Sequence, residues 1–241
     1  PVADPIGGDH YRVYFSARDE KNRSQIGYFE INLNNPSEIL NLSDLPALQY
    51  GDLGTFDEAG ASSSWLVNYQ GKKHMYYFGW NLSVTVPFRN AIGVGASADG
   101  GVTFQNYASG PILDRSIHDP CFVANPCVLV EDGIWRMWYL SCISWEHING
   151  VKKHFYHLKY SQSDDGIHWL QDGLVCIDFQ SEDEYAIARP CVLKEDGIYK
   201  MWYSYRGQRY RIGYAESPDG LRWERMDEVV GLDVSETGWD S

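Results

Sequence analysis

The sequence predicts an all-β chain made by repeating one four-stranded unit about an axis, and three observations carry that prediction. One unit recurs plainly: residues 125–141 read NPCVLVEDGIWRMWYLS, residues 189–205 read RPCVLKEDGIYKMWYSY, and eleven of the seventeen positions are identical. Two fainter copies lie upstream, so that Val13, Met75, Met137 and Met201 follow one another at spacings of 62, 62 and 64. A near-constant period of this size marks stacked or radial repetition of a supersecondary unit. Finally, no stretch carries a helical period, while Trp, Tyr, Val and Ile crowd the segments, as suits a pleated, half-buried surface.

Each copy opens with an apolar segment, passes a polar turn and enters an aromatic segment. Residues 128–130, the turn Glu131-Asp132-Gly133 and residues 134–140 are the clearest case. Asp-Gly between two hydrophobic runs signals a hairpin, because the tight turn needs residues that tolerate positive φ. A third segment follows, as Ile26-Gly27-Tyr28-Phe29, Ile92-Gly93-Val94-Gly95, Lys159-Tyr160-Ser161 and Ile212-Gly213-Tyr214-Ala215. A turn of the form Ser-x-Asp-Gly then leads to an aromatic: Ser97 to Phe104, Ser163 to Trp169, Ser217 to Trp223. The Asp can accept from backbone amides of its own turn, the Gly supplies the unusual dihedral, and the aromatic plugs the gap between units.

Four antiparallel strands in a unit of this length make a propeller blade. The blades fall at about 1–50, 51–110, 111–175 and 176–228, with 229–241 as the stub of the next; residues 34–48, polar and Pro-punctuated, read as a connection. A further step of the period would pass Ser241. The expectation is therefore one domain, a five-bladed β-propeller trimmed at both ends, of which about four blades are present.

Charge and composition narrow the partners. There are 33 acidic against 20 basic residues, a net charge of −13, which disfavours nucleic acid and anionic membranes. No run of 18 apolar residues occurs, so no membrane insertion by a helix is expected. The five cysteines, Cys121, Cys127, Cys142, Cys176 and Cys191, match no zinc spacing, and the pair Cys127 and Cys191 occupies one repeat position inside strands. Reduced, buried thiols and a cytoplasmic location are the expectation, with no metal and no cofactor.

The candidate chemistry lies in the loops that lead into the first strand of each blade. First strands line the axis of a propeller, so those loops are expected to converge on one funnel. Taking Ser64, Pro126 and Pro190 as equivalent, the residue seven earlier is Asp57, Asp119 and Asp183, with acidic neighbours Glu58 and Glu184. Like charges crowded in one cavity push their pKa values apart, which is how a site acquires an acid together with a base or nucleophile. Two carboxyl groups about 5–9 Å apart are the minimum for glycoside hydrolysis. The expected catalytic set is Asp57, Glu58, Asp119 and Glu184, with Asp183 as the alternative to Glu184. Arg18, Arg89, Arg189 and Arg206 could clamp an anionic or hydroxyl group, and Trp80, Trp145 and Tyr205 could stack on a sugar ring. His118, His147, His154 and His157 show no metal-ligand spacing.

With blades and carboxylates in place, the sequence resembles the five-bladed propeller glycosidase superfamily: glycoside hydrolase families 32, 43 and 68 and the mannoside phosphorylases of family 130. His118-Asp119-Pro120 is similar to the Arg-Asp-Pro motif of families 32 and 68, whose Asp stabilises the transition state. Arg189-Pro190 is similar to the Glu-Arg-Pro segment that carries the acid in family 68, but Ala188 stands where that Glu would be, so Glu184 would have to supply the acid. The segments YRVYFSARD, SADGGVTF, RMWY, ARPCV, YRIGYAESPDG and GWDS resemble uncharacterised bacterial glycosidase-like proteins. The resemblance implies a glycoside hydrolase acting on a glycan or glycoconjugate through axial carboxylates. The alternatives are a phosphate-dependent glycoside phosphorylase and a non-catalytic glycan-binding propeller. A sialidase-like enzyme is a weaker fit: Ser97 to Phe104 matches the Asp-box turn, but that box is structural.

Overall fold

The computed structural model describes residues 1–230, 232 and 234–238. Alternating apolar and aromatic residues, punctuated by Gly-containing turns, produce sixteen strands among them. The first unit comprises β1 (Val2–Gly7), β2 (His10–Arg18), β3 (Ser24–Asn32) and β4 (Asn41–Leu42). The second comprises β5 (Gly60–Tyr69), β6 (Lys72–Leu82), β7 (Phe88–Ser97) and β8 (Gln105–Asn106). The third comprises β9 (Phe122–Glu131), β10 (Ile134–Ile148), β11 (Val151–Ser163) and β12 (Val175–Ile177). The fourth comprises β13 (Ala186–Glu195), β14 (Ile198–Arg206), β15 (Tyr210–Ser217) and β16 (Glu224–Arg225).

Within each unit all neighbouring strands are antiparallel and consecutive. Units one and two meet through the parallel contact Ser24–Gly60, and units three and four through Tyr156–Ala186, giving two mixed eight-stranded sheets. The hairpins between first and second strands turn as the sequence predicts. Asp132 and Gly133 take φ of 51° and 80°, and Asp196 and Gly197 take 51° and 81°, the paired positive φ of a tight hairpin.

The core lies between successive units. Tyr14, Ile26, Met75, Tyr77 and Phe104 fill the first interface, Tyr76, Ile92, Val128, Trp135 and Met137 the second, and Trp138, Leu158, Ile187, Val192 and Met201 the third. A repeated polar contact ties each interface. The hydroxyl of Tyr14 donates to the Gly101 carbonyl (2.7 Å), that of Tyr76 to Gly166 (2.9 Å), and the indole N–H of Trp138 to Gly220 (2.8 Å). Two acceptors, Gly166 and Gly220, are the glycine of the next unit's Ser-x-Asp-Gly turn, and Gly101 is the second glycine of the Ser97-Ala98-Asp99-Gly100-Gly101 turn.

Those turns are built alike. Ser97, Ser163 and Ser217 donate to Asp99, Asp165 and Asp219 and accept from the amides of Gly101, Gly166 and Gly220. The aspartates accept from amides further along the turn, which holds all three carboxyls below the usual range. Gly166 has φ of +76°, and a Cβ there would sit 2.7 Å from the Tyr76 hydroxyl and 2.8 Å from the Trp135 ring.

Two expectations are corrected. Residues 34–48 are more than a connection: they hold β4, and Leu48 bridges Ile26 to complete the unit. At the start of the expected stub, Asp227–Val230 form a single 3-10 turn, with the Asp227 carboxylate held by Tyr203 and Arg225. Residues 231, 233 and 239–241 of the expected stub lie outside the described residues. Cys127 is buried with a thiol pushed well up by desolvation, but its repeat partner Cys191 is only half-buried, facing a central cavity.

Replacing Gly166 by Ala forces a Cβ into the keyed turn and an unfavourable φ; it should cost about 1–3 kcal/mol. Tyr76→Phe removes only the donor and should cost about 1–2 kcal/mol. Urea melts of both variants check the order; equal stability of Gly166→Ala and the parent would contradict the role of the turn.

Candidate functional site

The first strands β1, β5, β9 and β13 approach one another around a cavity of about 510 Å³. Three of them, β5, β9 and β13, are bulged there: the register slips between Ser63 and Trp65, between Ala124 and Cys127, and between Ala188 and Cys191. Asn125 and Arg189 sit in two of these bulges with φ of 47° and 54°, each followed by a proline. Left-handed backbone at a bulky residue stores about 1–3 kcal/mol and concentrates at sites that need a particular side-chain direction. The cavity is lined by Ser64, Trp65, Asn125, Pro126, Arg189 and Cys191 among others; among the described residues Arg189 is its charged side chain, and no carboxylate lines it.

The expected axial convergence of carboxylates is therefore not what the chain builds. Asp57 is buried, accepting from the Tyr77 hydroxyl (2.9 Å) and from the Thr55 hydroxyl (2.8 Å). Asp119 is fully buried, accepting from Ser116 (3.0 Å), Gln171 (3.0 Å) and Tyr139 (3.3 Å), and it ion-pairs with Lys159 at 3.4 Å. The two aspartates thus hold equivalent tyrosines of β6 and β10 and lock their loops onto the interior of their own units. Burial next to an aspartate pushes the Tyr77 and Tyr139 phenols far up. Glu58 and Glu184 fold back to accept from the amides of Gly54 and Gln180. Glu184 is also held by Arg225 at 2.8 and 3.0 Å. The physical reason is that each carboxylate meets amides and hydroxyls of its own loop together with tyrosine, glutamine, lysine or arginine side chains brought up from other elements.

Asp183 differs from its two repeat equivalents. Tyr203, which stands where Tyr77 and Tyr139 stand, donates to Asp227 instead, at 2.5 Å. Asp183 is left exposed, in a groove with Tyr205, Gln208 and Arg209.

The remaining candidates lie at the strand ends beside these loops. Arg18 lies over the Trp80 ring at 5.3 Å, and Trp80 donates to Ser24 at 2.8 Å. Arg89 is on β7, its charge felt by Asp114 and Cys121. Trp145 packs against Phe88 and His154, and Arg206 against Tyr185 and Tyr210. Among the described residues no group of three His, Cys, Asp or Glu is placed to hold a metal ion, and no helix is long and apolar enough to cross a membrane.

One polar cluster escaped the sequence reading. Lys159, buried in β11, stands where the other three units have Gly27, Gly93 and Gly213. Its ammonium donates to the His118 carbonyl as well as pairing with Asp119. Beside it, Ser141 and His157 face each other across β10 and β11; His157 Nδ1 meets Asp178 at 2.9 Å, while His157 Nε2 and Ser141 Oγ are buried without a partner. The signal was the one non-glycine in the third-segment series.

Comparison with known proteins places the chain. No family model matches it. It is 40% identical, over all of its 241 residues and 80% of the relative, to the uncharacterised protein MT1551 of Mycobacterium tuberculosis (strain CDC 1551 / Oshkosh). The chain belongs to the family of this mycobacterial protein. A 1,2-beta-oligomannan phosphorylase of Thermoanaerobacter sp. (strain X514) is 29% identical over 113 residues, 45% of this chain and 38% of that protein. Among solved structures, a thermostable family-43 glycoside hydrolase covers 92% of this chain and 70% of its own, with a TM-score of 0.64 at 20% identity. A Bombyx mori GH32 beta-fructofuranosidase covers 90% of this chain and 46% of its own, with a TM-score of 0.65 at 14% identity. These neighbours are propeller-fold glycosidases, and the likeness is one of fold.

Two outcomes follow from the buried groups. Asp119→Asn leaves Lys159 buried without its counter-charge and should cost about 3 kcal/mol, seen as a clear fall in Tm. An unchanged Tm would show that the pair is not structural. Burial holds His74, His154 and His157 below their ordinary value of 6.5. As pH falls below about 6.5 the unfolded chain takes up protons that the folded chain resists, so stability should decline there and be flat above. Urea midpoints at pH 7.5, 6.5 and 5.5 measure this, and His157→Gln should flatten the slope.

Proposed function

We propose that the chain is the larger part of a glycan-active propeller enzyme of glycosidase or phosphorylase type, working at the end of the sheets where β5, β9 and β13 begin. The observation that carries this reading is the central cavity into which two strained bulges turn, one of them bearing Arg189. The likeness to propeller glycosidases supports the same reading. Five blades are part of it. Tyr14, Tyr76 and Trp138 each key into the turn of a following unit, and Trp202, their equivalent in the fourth, is partly exposed, its one ring contact among the described residues being a tilted one with Tyr214. In this reading a fifth unit closes the ring on Trp202.

Phosphorolysis fits the charge of the cavity better than hydrolysis does. Hydrolysis asks for two carboxyl groups on either side of the bond. Phosphorolysis asks for one acid and a held phosphate. Arg189 supplies a forked donor for that phosphate, and Asp183, the exposed member of the aspartate series in a groove separate from the cavity, is the candidate acid. The similarity to the oligomannan phosphorylase points the same way. Asp57, Glu58, Asp119 and Glu184 then serve by fixing the loops, and Arg18, Trp80, Arg89 and Trp145 by rimming the opening. A non-catalytic, glycan-binding propeller is the second reading, favoured by the neutralisation of those four carboxylates within their own units.

The test is turnover of the full-length protein on aryl glycosides and β-1,2-linked manno-oligosaccharides, with and without phosphate. Phosphate-dependent release of a sugar 1-phosphate is expected. Asp183→Asn and Arg189→Gln should each lower kcat/KM by about 100-fold or more with little change in Tm. Full activity of Asp183→Asn would remove it from the mechanism, and binding without turnover across the panel would decide for the second reading.

A further inference from the structure

Among the described residues two cations of this acidic chain, Lys153 and Arg206, share one aromatic ring without an acid partner, whereas Arg18, over Trp80, bonds the Asn22 side chain. Arg12, Lys73, Arg136, Lys159, Lys194, Lys200 and Arg225 all take carboxylates. Lys153 and Arg206 do not among the described residues, although the net charge is −13. Lys153 stands directly opposite Glu146 in the β10–β11 ladder, yet its ammonium lies over the Tyr185 ring, 3.2 Å from the centroid. The guanidinium of Arg206, at the end of β14, lies 5.5 Å from the Tyr185 centroid and 4.7 Å from that of Tyr210. Its Nε is buried with no hydrogen-bond partner. The acid beside Tyr185 in sequence, Glu184, is already taken twice by Arg225.

Two cations over one ring repel each other. A cation over an aromatic face gains about 0.5–2 kcal/mol, which is modest beside a charge-assisted, bidentate bond to an oxyanion. The pair is thus positioned and partly desolvated without its strongest partner. Tyr210 is about half exposed, so an accessible aromatic face flanks Arg206. That combination, an oxyanion fork floored and flanked by aromatic faces, matches a sugar ring carrying a negative group.

We propose that Lys153 and Arg206, on the floor formed by Tyr185 and Tyr210, are a binding subsite for an anionic saccharide: one bearing a carboxylate, as in a uronic acid, or a phosphate ester. The proposal rests on the glycan-active reading above and adds the charge of the substrate.

Calorimetric titration of the full-length protein with four probes tests it: trigalacturonate, mannose 6-phosphate, uncharged β-1,2-mannotriose and inorganic phosphate. The anionic saccharides should bind more tightly than mannotriose, and the preference should shrink as salt is raised. Arg206→Gln should weaken the anionic saccharides about tenfold or more and leave mannotriose within about twofold. Lys153→Gln, on an accessible side chain, gives the same test where Arg206→Gln fails to fold. If mannotriose binds as well as the charged sugars, or both variants keep the anionic preference, the subsite is refuted while the glycan reading stands. Binding of inorganic phosphate that Arg206→Gln abolishes, with no saccharide bound, would keep the anion clamp and remove the glycan reading. Binding of none of the four would overturn both.

Discussion

The rest of the structure depends on one contact: an aromatic donor of one unit reaching the carbonyl of the turn glycine in the next. That carbonyl has two lone pairs, and both are used. Gly166 accepts from Tyr76 of the unit before and from Trp169 of its own turn, and Gly220 accepts likewise from Trp138 and Trp223. An unpaired carbonyl in so buried a place would be costly, so the contact sets angle and spacing as well as energy. Around each key the interface packs shut with Met, Ile, Val and Tyr. The first strands are consequently brought to the centre, and their bulges turn Asn125 and Arg189 toward the cavity.

The same constraint explains the fate of the carboxylates. Once a unit is keyed to its neighbour, the loop between them must cross the interface, and its polar groups are buried with it. Asp57 and Asp119 each meet a second-strand tyrosine on that path. A buried carboxylate must be hydrogen-bonded or paired, and these are. They are therefore held within the units and at the joints between them, outside the lining of the central cavity. The third unit carries an extra polar layer, Lys159 with Ser141 and His157, where glycine in the other units admits a ring.

Much of the fold was legible in the sequence because it is local. Hairpin turns such as Asp132-Gly133 and the Ser-x-Asp-Gly turns are specified by residues within five positions of each other, and the repeat exposes them four and three times over. The candidate site was only half legible. Repeat spacing grouped Asp57, Asp119 and Asp183, the first two of which accept from equivalent tyrosines. It could not say which way each side chain turns, since that depends on partners 20 to 52 residues away, as Tyr139 and Gln171 are for Asp119. Lys159 was overlooked because a lysine in a strand reads as solvent-facing until the loop that covers it is placed.

By itself the sequence determined the unit, its period, its turns and the all-β class, since φ preferences, hydroxyl-to-amide bonds and alternation of apolar residues act over a few residues. Only the tertiary structure decided what became of three equivalent aspartates. Two are sealed against tyrosines and the third is left in solvent, because Tyr203 found Asp227 from a later turn before it could find Asp183. A choice between two carboxylates for one phenol is made by distance in space, and no repeat position records it.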